Sequence, residues 1–378
     1  MSEHDDSIRR SLSESGRARR RFLESTALAA VGTSASVLVS AQSSSSAPSA
    51  APANCPSVPT PMREVEGKVA FITGGSSGIG LGIARAFTDA GMKVVITYRT
   101  KSNLDEAMKY LASAGNRVHA INLDVTDRAA MEKAAEETVR VFGKVHVLVN
   151  NAGVGVAGPL STATYDDWDW GIGVNLNGVF NGIRTFLPRI QSHGEGGHII
   201  ATSSLAGLIG HGALGVYTAS KFAVVGMMEA LRTEFITSGV NIGVTVFCPG
   251  VVNTNIANSE RNRPPELSDD RGGRPPPPPP SRPREGAPPP SGPAPGMDPL
   301  EAGQRVLRGM QNNDLYVLTT PEFEEDFRAR GEAILASIPL DVNPSQERIA
   351  FGRMIAGPQI YAAERDRRLC QRAQGRKS

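Results

Sequence analysis

Short apolar runs alternate with stretches of helical spacing along most of this chain. Residues 68–72 form the first strand-like run, and residues 81–87 place apolar side chains at the intervals of a helix. Further strand-like runs follow at residues 94–99, 145–149, 198–201, 242–247 and 315–319. Continuous apolar strands separated by helices are typical of a parallel sheet with helices on both faces. The pattern predicts a doubly wound α/β fold, in a single domain at residues 64–340.

A basic segment near the start of the chain precedes a mildly apolar run. Residues 19–21 are arginines, residues 26–39 are rich in Ala, Thr, Ser and Gly, and Val39-Ser40-Ala41 is a sequence that a signal peptidase could cut. This arrangement resembles a twin-arginine signal, so residues 1–41 are predicted to direct export to the periplasm. The alternatives are a basic disordered tail or an organelle transit peptide, and a protein that is not exported would be cytoplasmic. The run is too short and too polar to predict an integral membrane span.

Three other segments have unusual compositions. Residues 42–63 are dominated by Ser, Ala and Pro, which predicts a disordered linker. Residues 261–296 contain an unbroken run of six prolines and are predicted to form an extended, disordered insertion beside the substrate lid. This insertion could be a gate, a partner-binding arm or a passive spacer. The tail at residues 341–378 is predicted to be helical, with its many arginines in solvent.

The charge balance excludes some classes of partner. The formal net charge is +2 and the isoelectric point is about 8.5, which gives no reason to expect nucleic acid. The three cysteines, Cys55, Cys248 and Cys370, have no metal-like spacing. No metal site is predicted.

A glycine-rich turn follows the first strand-like run. Gly74, Gly78 and Gly80 lie between that run and the helical stretch at residues 81–87. A strand, a glycine turn and a helix N-terminus form a phosphate cradle, because N–H groups and the helix dipole face the anion. The spacing differs from G-x-G-x-x-G, but its context predicts dinucleotide binding. The turn residues expected to bind the dinucleotide are Thr73, Gly74, Ser76, Ser77, Gly78, Ile79 and Gly80.

A second motif carries proton-transfer chemistry. Tyr217 and Lys221 are four positions apart on a helical stretch, which places them on one face. Ser204 precedes Tyr217 by thirteen positions, and Ser203 is the competing serine. A phenol ordinarily has a pKa near 10, and a neighbouring ammonium lowers that value towards the range of a useful base. The three side chains are therefore a candidate set for moving a proton to or from an alcohol oxygen.

Together these motifs resemble those of the short-chain dehydrogenase/reductase family. Further matches follow in the family's order: residues 150–153 (Asn-Asn-Ala-Gly), Asn175, and residues 249–254, which begin Pro-Gly. The resemblance covers residues 64–258, resumes more weakly at 297–340, and implies a Rossmann-type fold. It departs at His146, where the family often has Asp.

The resemblance also implies a role for each matching residue. Tyr217 would be the general acid/base, and Lys221 would lower its pKa and hold the nicotinamide ribose. Ser204 would bind the substrate oxygen, and Asn175 would support a water in the proton relay. A homodimer or homotetramer is implied through the helices that carry Asn175 and Tyr217. Cofactor contacts are implied for Asp124, Val125, Asn151, Ala152, Gly153, Tyr217, Lys221, Pro249, Gly250, Val252 and Thr254.

The end of the second strand indicates which dinucleotide is used. An acid there favours NAD, whereas a cation pairs with the 2′-phosphate of NADP. Residues 94–99 contain no acid and end in Arg99, whose guanidinium can grip a phosphate. NADP is therefore the predicted cofactor, with NAD as the alternative.

The predicted substrate is a small, hydrophobic alcohol or its ketone or aldehyde. Residues expected near it are Val154, Ser204, Leu205, His211 and Tyr217, although His211 could instead face solvent. Two other functions stay open: a non-catalytic dinucleotide-binding sensor or scaffold that uses the proline-rich arm, and a sugar-nucleotide epimerase or dehydratase.

Overall fold

Seven parallel strands form one continuous sheet at the centre of the protein. The structure is a computed structural model, and it describes residues 59–268, 296–356, 358 and 360–374. The strands lie in the order β3-β2-β1-β4-β5-β6-β7. Their bounds are β1 Val69–Ile72, β2 Lys93–Tyr98, β3 Val118–Asn122, β4 Val147–Asn150, β5 Gly197–Thr202, β6 Ile242–Cys248 and β7 Tyr316–Leu318.

Helices connect the strands and cover both faces of the sheet. In chain order they are α1 Gly78–Asp89, α2 Lys101–Tyr110, α3 Arg128–Phe142, α4 Tyr165–Ile172, α5 Gly178–Ser192, α6 Gly215–Ser238, α7 Pro299–Asn312, α8 Glu324–Ala336, α9 Gln346–Ala356 and α10 Ile360–Ala373. A single π-helical turn, Gly173–Asn177, joins α4 to α5.

The strands are buried because both faces of the sheet are covered. In β1, Phe71 belongs to the apolar core on one face, and Ala70 and Ile72 belong to the core on the other. This alternation follows from the two-residue period of a strand. The first core contains Phe186 of α5, and the second contains Phe87 of α1. The predicted parallel α/β sheet of Rossmann type is confirmed.

Helices α1 and α7 pack closely because two glycines meet between them. A Cβ atom on Gly82 would lie 1.8 Å from the carbonyl oxygen of Pro299. A Cβ on Gly303 would lie 2.2 Å from the carbonyl oxygen of Gly82. Only glycine permits this backbone approach, which brings the first turn of α7 beside the first turns of α1.

The C-terminal helix corrects the expectation that its arginines are solvated. Arg367 on α10 is 5 % exposed and pairs with Asp314 and Glu364, which are also buried. Arg368 lies 2.6 Å from the other oxygen of Asp314. Charges removed from water need such pairing, and here it joins α10 to Asp314, two residues before β7. The tail is helical as expected, but part of its arginine set belongs to the protein interior.

His146, the departure from the family pattern, has a structural role at the amino end of β4. Its Nδ1 accepts a hydrogen bond from the Val69 N–H at 3.1 Å, and its Nε2 lies 3.1 Å from Glu195. Glu195 also pairs with Lys68 at 2.8 Å. His193 completes a group of possible metal ligands there, but the His146 and Glu195 atoms are already engaged.

Several predicted segments lie outside the described residues. These are the signal at residues 1–41, residues 42–58 of the linker predicted at 42–63, and residues 269–295 of the insertion predicted at 261–296. Within the described part of the chain, no helix is both long and apolar enough to cross a membrane.

Candidate active site

The candidate site lies at the carboxyl edge of the sheet, where the strand order reverses. β1 pairs with β2 on one side and β4 on the other, so the loops after β1 and β4 lead away in opposite directions. Ligands of open parallel sheets bind in the crevice at such a point. The loops after β1, β4, β5 and β6 carry Ser204 and most of the predicted cofactor residues.

The glycine turn after β1 has a backbone that requires glycine. Gly74 has φ +62° and Gly78 has φ +51°. Residues with a Cβ atom rarely adopt these positive, left-handed backbone angles. A Cβ on Gly80 would lie 2.3 Å from the Gly74 carbonyl oxygen and 2.5 Å from Nδ2 of Asn151. The same Asn151 amide donates to the Thr73 carbonyl at 3.1 Å. The loop after β4 therefore fixes the shape of the turn.

Two further polar side chains complete this support. The Thr73 hydroxyl accepts hydrogen bonds from the N–H groups of Asn151 and Ala152, at 2.8 and 3.0 Å. The Thr97 hydroxyl, near the end of β2, accepts one from the Gly74 N–H at 2.9 Å. Thr97 was not among the predicted site residues, although its place near the end of an apolar strand could have indicated it.

The N-terminus of α1 fits an anion. Its N-cap residue, Ser77, is extended and makes no side-chain capping hydrogen bond. The first-turn N–H groups and the positive end of the helix dipole therefore face the turn. A Cβ on Gly78 would lie 3.0 Å from Cγ2 of Thr254, so the loop after β6 closes over the turn. A cavity of about 730 Å³ opens here, lined by Ser77, Gly78, Leu81, Gly82, Tyr110, Asn253, Thr254, Asn255, Asp298, Pro299 and Leu300.

Other turn and loop residues occupy supporting positions. Ser76 is buried and Ile79 is half-buried. The Pro249 carbonyl accepts from the Leu205 N–H at 2.8 Å, and the Gly250 N–H donates to the Thr319 hydroxyl at 3.0 Å. Val252 is buried and bridges to Met297. The loop after β6 is thus tied to the loop after β5 that carries Ser204.

Tyr217, Lys221 and Ser204 meet as predicted. Tyr217 and Lys221 lie one turn apart on α6, and Ser204 follows β5. Lys221 is buried, its Nζ donates to the Thr202 carbonyl at 2.9 Å, and burial lowers its pKa to about 8. Burial raises the pKa of Tyr217, and a hydrogen bond with Ser204 partly offsets that effect. A half-buried phenol beside a hydroxyl and an ammonium can exchange a proton with a bound oxygen.

The competing serine has another task. The Ser203 hydroxyl is buried and donates to the main-chain carbonyl of Lys221 at 2.8 Å. The Ser204 hydroxyl accepts from the Ala206 N–H at 3.2 Å and stays beside Tyr217. This geometry favours Ser204 as the residue that faces a substrate.

Asn175 lies in the π-helical turn and is fully buried. Its amide oxygen accepts from the Val154 N–H at 2.8 Å, and its nitrogen donates to the Val154 carbonyl at 3.0 Å and the Ser220 hydroxyl at 3.1 Å. A Cβ on Gly153 would lie 3.2 Å from this oxygen and 3.5 Å from Lys221 Nζ. Asn175 therefore joins the loop after β4 to the helix that carries Tyr217. π-Turns often mark functional positions in helices.

The predicted adenosine end of the site contains Arg99 and Asp124. Arg99 follows β2, and its guanidinium lies 3.5 Å from a carboxylate oxygen of Asp124. The other Asp124 oxygen accepts from the N–H and hydroxyl of Thr126, at 2.9 and 2.7 Å. Val125, next to it, is buried. The structure thus brings the two predicted residues together, with Arg99 already beside a carboxylate.

The predicted substrate residues are not all placed alike. Leu205 is half-buried beside Ser204, and Val154 is buried in the core. His211 is exposed, and its Nδ1 accepts from the Ala213 N–H at 3.3 Å. His211 faces solvent in this structure, the alternative left open by the sequence.

A sheet with its crevice at the strand reversal, and a glycine turn beside a serine, tyrosine and lysine, defines the class of dinucleotide-dependent α/β oxidoreductases. Comparison with known proteins gives the particular family. The model of the short chain dehydrogenase family matches residues 68–265. The chain belongs to the short-chain dehydrogenase/reductase family, as its motifs predict.

Three similar proteins illustrate the relationship. A C alpha-dehydrogenase from Sphingobium sp. (strain NBRC 103272 / SYK-6) is 37 % identical over 300 residues, 77 % of this chain and 95 % of that protein. A short chain dehydrogenase/reductase from Burkholderia phymatum, solved in complex with NAD, has a TM-score of 0.64 and 32 % identity over 75 % of this chain and 99 % of that one. The apo form of LigO from Sphingobium sp. strain SYK-6 has a TM-score of 0.58 and 39 % identity, covering 72 % and 90 %.

Proposed function

We propose that this protein interconverts a hydrophobic alcohol and its ketone or aldehyde, with a nicotinamide dinucleotide as the hydride carrier. The arrangement of Tyr217 between Ser204 and Lys221, at the edge that carries the glycine turn, is the observation that supports this proposal. When bound, the nicotinamide supplies or accepts the hydride. In reduction, Tyr217 donates its phenolic proton to the carbonyl oxygen, and in oxidation it removes the hydroxyl proton.

The neighbouring residues prepare Tyr217 for this exchange. Ser204 holds the substrate oxygen beside the phenol, and the Lys221 ammonium favours the phenolate. Both amide hydrogens and the amide oxygen of Asn175 are already bonded. A water of the proton relay could therefore bond Asn175 at its main-chain carbonyl or at the second lone pair of its amide oxygen.

The preferred dinucleotide is NADP in this proposal. The support is Arg99 at the end of β2, a strand whose last residues include no acid. Asp124 lies 3.5 Å from that guanidinium and competes with a phosphate for it. The Burkholderia relative was solved with NAD, so NAD remains the alternative, and binding measurements with both cofactors must distinguish it from NADP.

The substrate is proposed to be an apolar secondary alcohol or ketone. Leu205, Ala206 and Leu208 beside Ser204 are half-buried or buried, which gives the crevice an apolar wall. The Sphingobium relative is named a C alpha-dehydrogenase, which agrees with oxidation at an alcohol-bearing carbon.

The first test measures turnover directly. Purified protein is mixed with NADPH or NADH and a panel of apolar ketones, and the loss of absorbance of the reduced cofactor is followed. We expect NADPH oxidation with at least one ketone. Tight cofactor binding without turnover across a broad panel would instead favour the sensor or scaffold function.

Two accompanying proposals concern assembly and location. We infer a homodimer or homotetramer through α5 and α6, where Phe180 and Ile236 are 51 % and 49 % exposed. Light scattering would give the mass in solution.

We also propose export through the twin-arginine signal, and Arg20→Lys with Arg21→Lys should retain the protein in the cytoplasm of a bacterium that processes such signals.

A further inference from the structure

Residues 256–268, which follow the loop after β6, form a strap of two short 3₁₀ turns, Ile256–Asn262 and Pro265–Leu267. The strap is mostly exposed, although Leu267 packs against the core. Its position therefore depends on a small number of specific contacts with neighbouring elements.

One contact ties the strap to the loop after β4. Ser259 is 3 % exposed, and its hydroxyl accepts from the Gly155 N–H at 2.8 Å. The adjacent residue, Val154, holds the Asn175 amide through both of its main-chain groups. At its other side, the Arg99 guanidinium donates to the Asn262 carbonyl at 3.4 Å. The strap thus crosses the crevice between the predicted adenosine end and the catalytic residues.

A second contact ties the strap to α4. Arg263 donates to a carboxylate oxygen of Asp167 at 2.6 Å, and its guanidinium carbon lies 4.3 Å from the centre of the Trp170 ring. The side chains of Arg263 and Asp167 are 4 % and 14 % exposed. A planar guanidinium can pair with a carboxylate and stack on an aromatic face at once. Arg263 also pairs with Glu260 inside the strap at 2.8 Å, so it is the loss of Arg263 that leaves the buried Asp167 carboxylate without this cation.

The contact with α4 lies on the Tyr217 side of the crevice. A Cβ on Gly171, next to Trp170, would lie 2.7 Å from Cγ1 of Val216. Val216 directly precedes Tyr217 on α6. The glycine turn, by contrast, is supported by Thr73, Thr97 and Asn151 and does not involve α4.

We propose that Arg263 is a positioning residue that fixes the strap over the substrate end of the crevice by its contacts with Asp167 and Trp170. It acts through the strap and does not touch the reacting atoms. Substrate affinity therefore depends on Arg263 more strongly than cofactor affinity does, because the strap reaches the cofactor side only through the contact of Arg99 with the Asn262 carbonyl. The effect of Arg263 on substrate affinity rests on the proposed function. The position of the strap rests on the geometry alone.

The position of the strap can be measured without any turnover. The chain has two tryptophans, so Trp168→Phe leaves Trp170 as the only one. We expect acrylamide to quench Trp170 weakly in this background and several-fold more strongly after Arg263→Met. Arg263→Met with Asp167→Asn removes both buried charges and provides a folded comparison in case the single variant is unstable. Arg261→Met is the matched control, because Arg261 donates to the carbonyls of Asn258 in the strap and of Asn255 just before it, and to no group of α4 among these bonds.

Kinetics then test the consequence. Arg263→Met should raise KM for the ketone about tenfold, as expected for loss of an interaction that positions the substrate, while the Kd of NADPH changes much less. The KM of Arg263→Lys should lie between those of the wild type and Arg263→Met, because lysine keeps the positive charge but lacks the planar guanidinium. Unchanged quenching in a folded Arg263→Met protein, or stronger quenching with unchanged KM, would overturn the inference. If the wild type reduces no ketone, the proposed function fails, and the quenching result alone decides whether Arg263 fixes the strap.

Discussion

Lys221 Nζ lies 5.6 Å from the centre of the Tyr217 ring and donates a hydrogen bond to the Thr202 carbonyl at 2.9 Å. Burial acts on the two groups in opposite directions, raising the pKa of Tyr217 and lowering that of Lys221 to about 8. Both shifts disfavour the charged forms that proton abstraction from an alcohol requires. The Tyr217 phenolate can therefore form only when both the Ser204 hydroxyl and the Lys221 ammonium stabilise it.

Replacing Tyr217 by Phe removes the proton donor and acceptor and keeps the ring. We expect kcat to fall by about 10²–10⁴-fold, the usual contribution of general acid–base catalysis, while NADPH still binds. Steady-state turnover and a fluorescence titration with NADPH measure the two effects separately. A fully active Tyr217→Phe protein would refute the mechanism.

The two adjacent serines provide a matched pair. Ser204→Ala should lower kcat/KM strongly, because it removes the hydroxyl beside the phenol. Ser203→Ala should act mainly on stability, by about 1 kcal/mol, since its hydroxyl bonds a main-chain carbonyl in the interior. The comparison uses kcat/KM and urea unfolding of both variants, and equal losses of activity would contradict the assignment of Ser204.

Burial of Lys221 predicts a pH-dependent stability. The folded pKa of about 8 lies below the ordinary 10.5, so the unfolded chain binds more protons between these values and stability rises with pH there. Lys221→Met should thus be more stable than the wild type by up to about 3 kcal/mol below pH 8, since each pKa unit corresponds to about 1.4 kcal/mol. The advantage should shrink steadily towards pH 10.5. Urea unfolding of both proteins across pH 7–10 checks this, and a constant difference would contradict it.

Arg99 tests the choice of dinucleotide. Arg99→Ala should weaken NADPH binding about tenfold or more and NADH binding little, because only NADPH carries the 2′-phosphate. The Asp124 carboxylate, 3.5 Å away, should reduce the wild-type preference, so Asp124→Asn should strengthen NADPH binding. Titrations with both cofactors measure these changes. Equal losses for NADPH and NADH in Arg99→Ala would remove the argument for NADP.

The sequence predicts best what is local in the chain. The glycine turn and the Tyr217–Lys221 pair are each set within a few residues, and both lie where the motifs indicate. The parallel sheet was also predictable, since its central strands are continuous apolar runs. Edge strand β3 was missed because Val118–Asn122 contains a histidine and an asparagine and is only partly buried.

Long-range pairing could not be predicted. Arg263 meets Asp167 across 96 positions, and Arg367 meets Asp314 across 53. An arginine in a charged segment has no sequence signal that separates a solvated side chain from a buried one, so the prediction that Arg367 lies in solvent is wrong. Whether such an arginine is buried depends on a carboxylate partner distant in the chain, and not on the residues next to it in sequence.

Two glycines in helices should respond in opposite ways to the same substitution. Gly82→Ala places a Cβ 1.8 Å from the Pro299 carbonyl oxygen, so α1 and α7 must separate. We expect a loss of several kcal/mol, as for overpacking against a backbone that cannot yield, with weaker NADPH binding because α7 borders the cavity beside the glycine turn. Gly226→Ala in α6 meets nothing within 4 Å and should stabilise the protein by about 0.5–1 kcal/mol through helix propensity. Thermal and urea unfolding of both variants give the comparison, and a Gly82→Ala protein as stable as the wild type would show that the two helices can separate without loss.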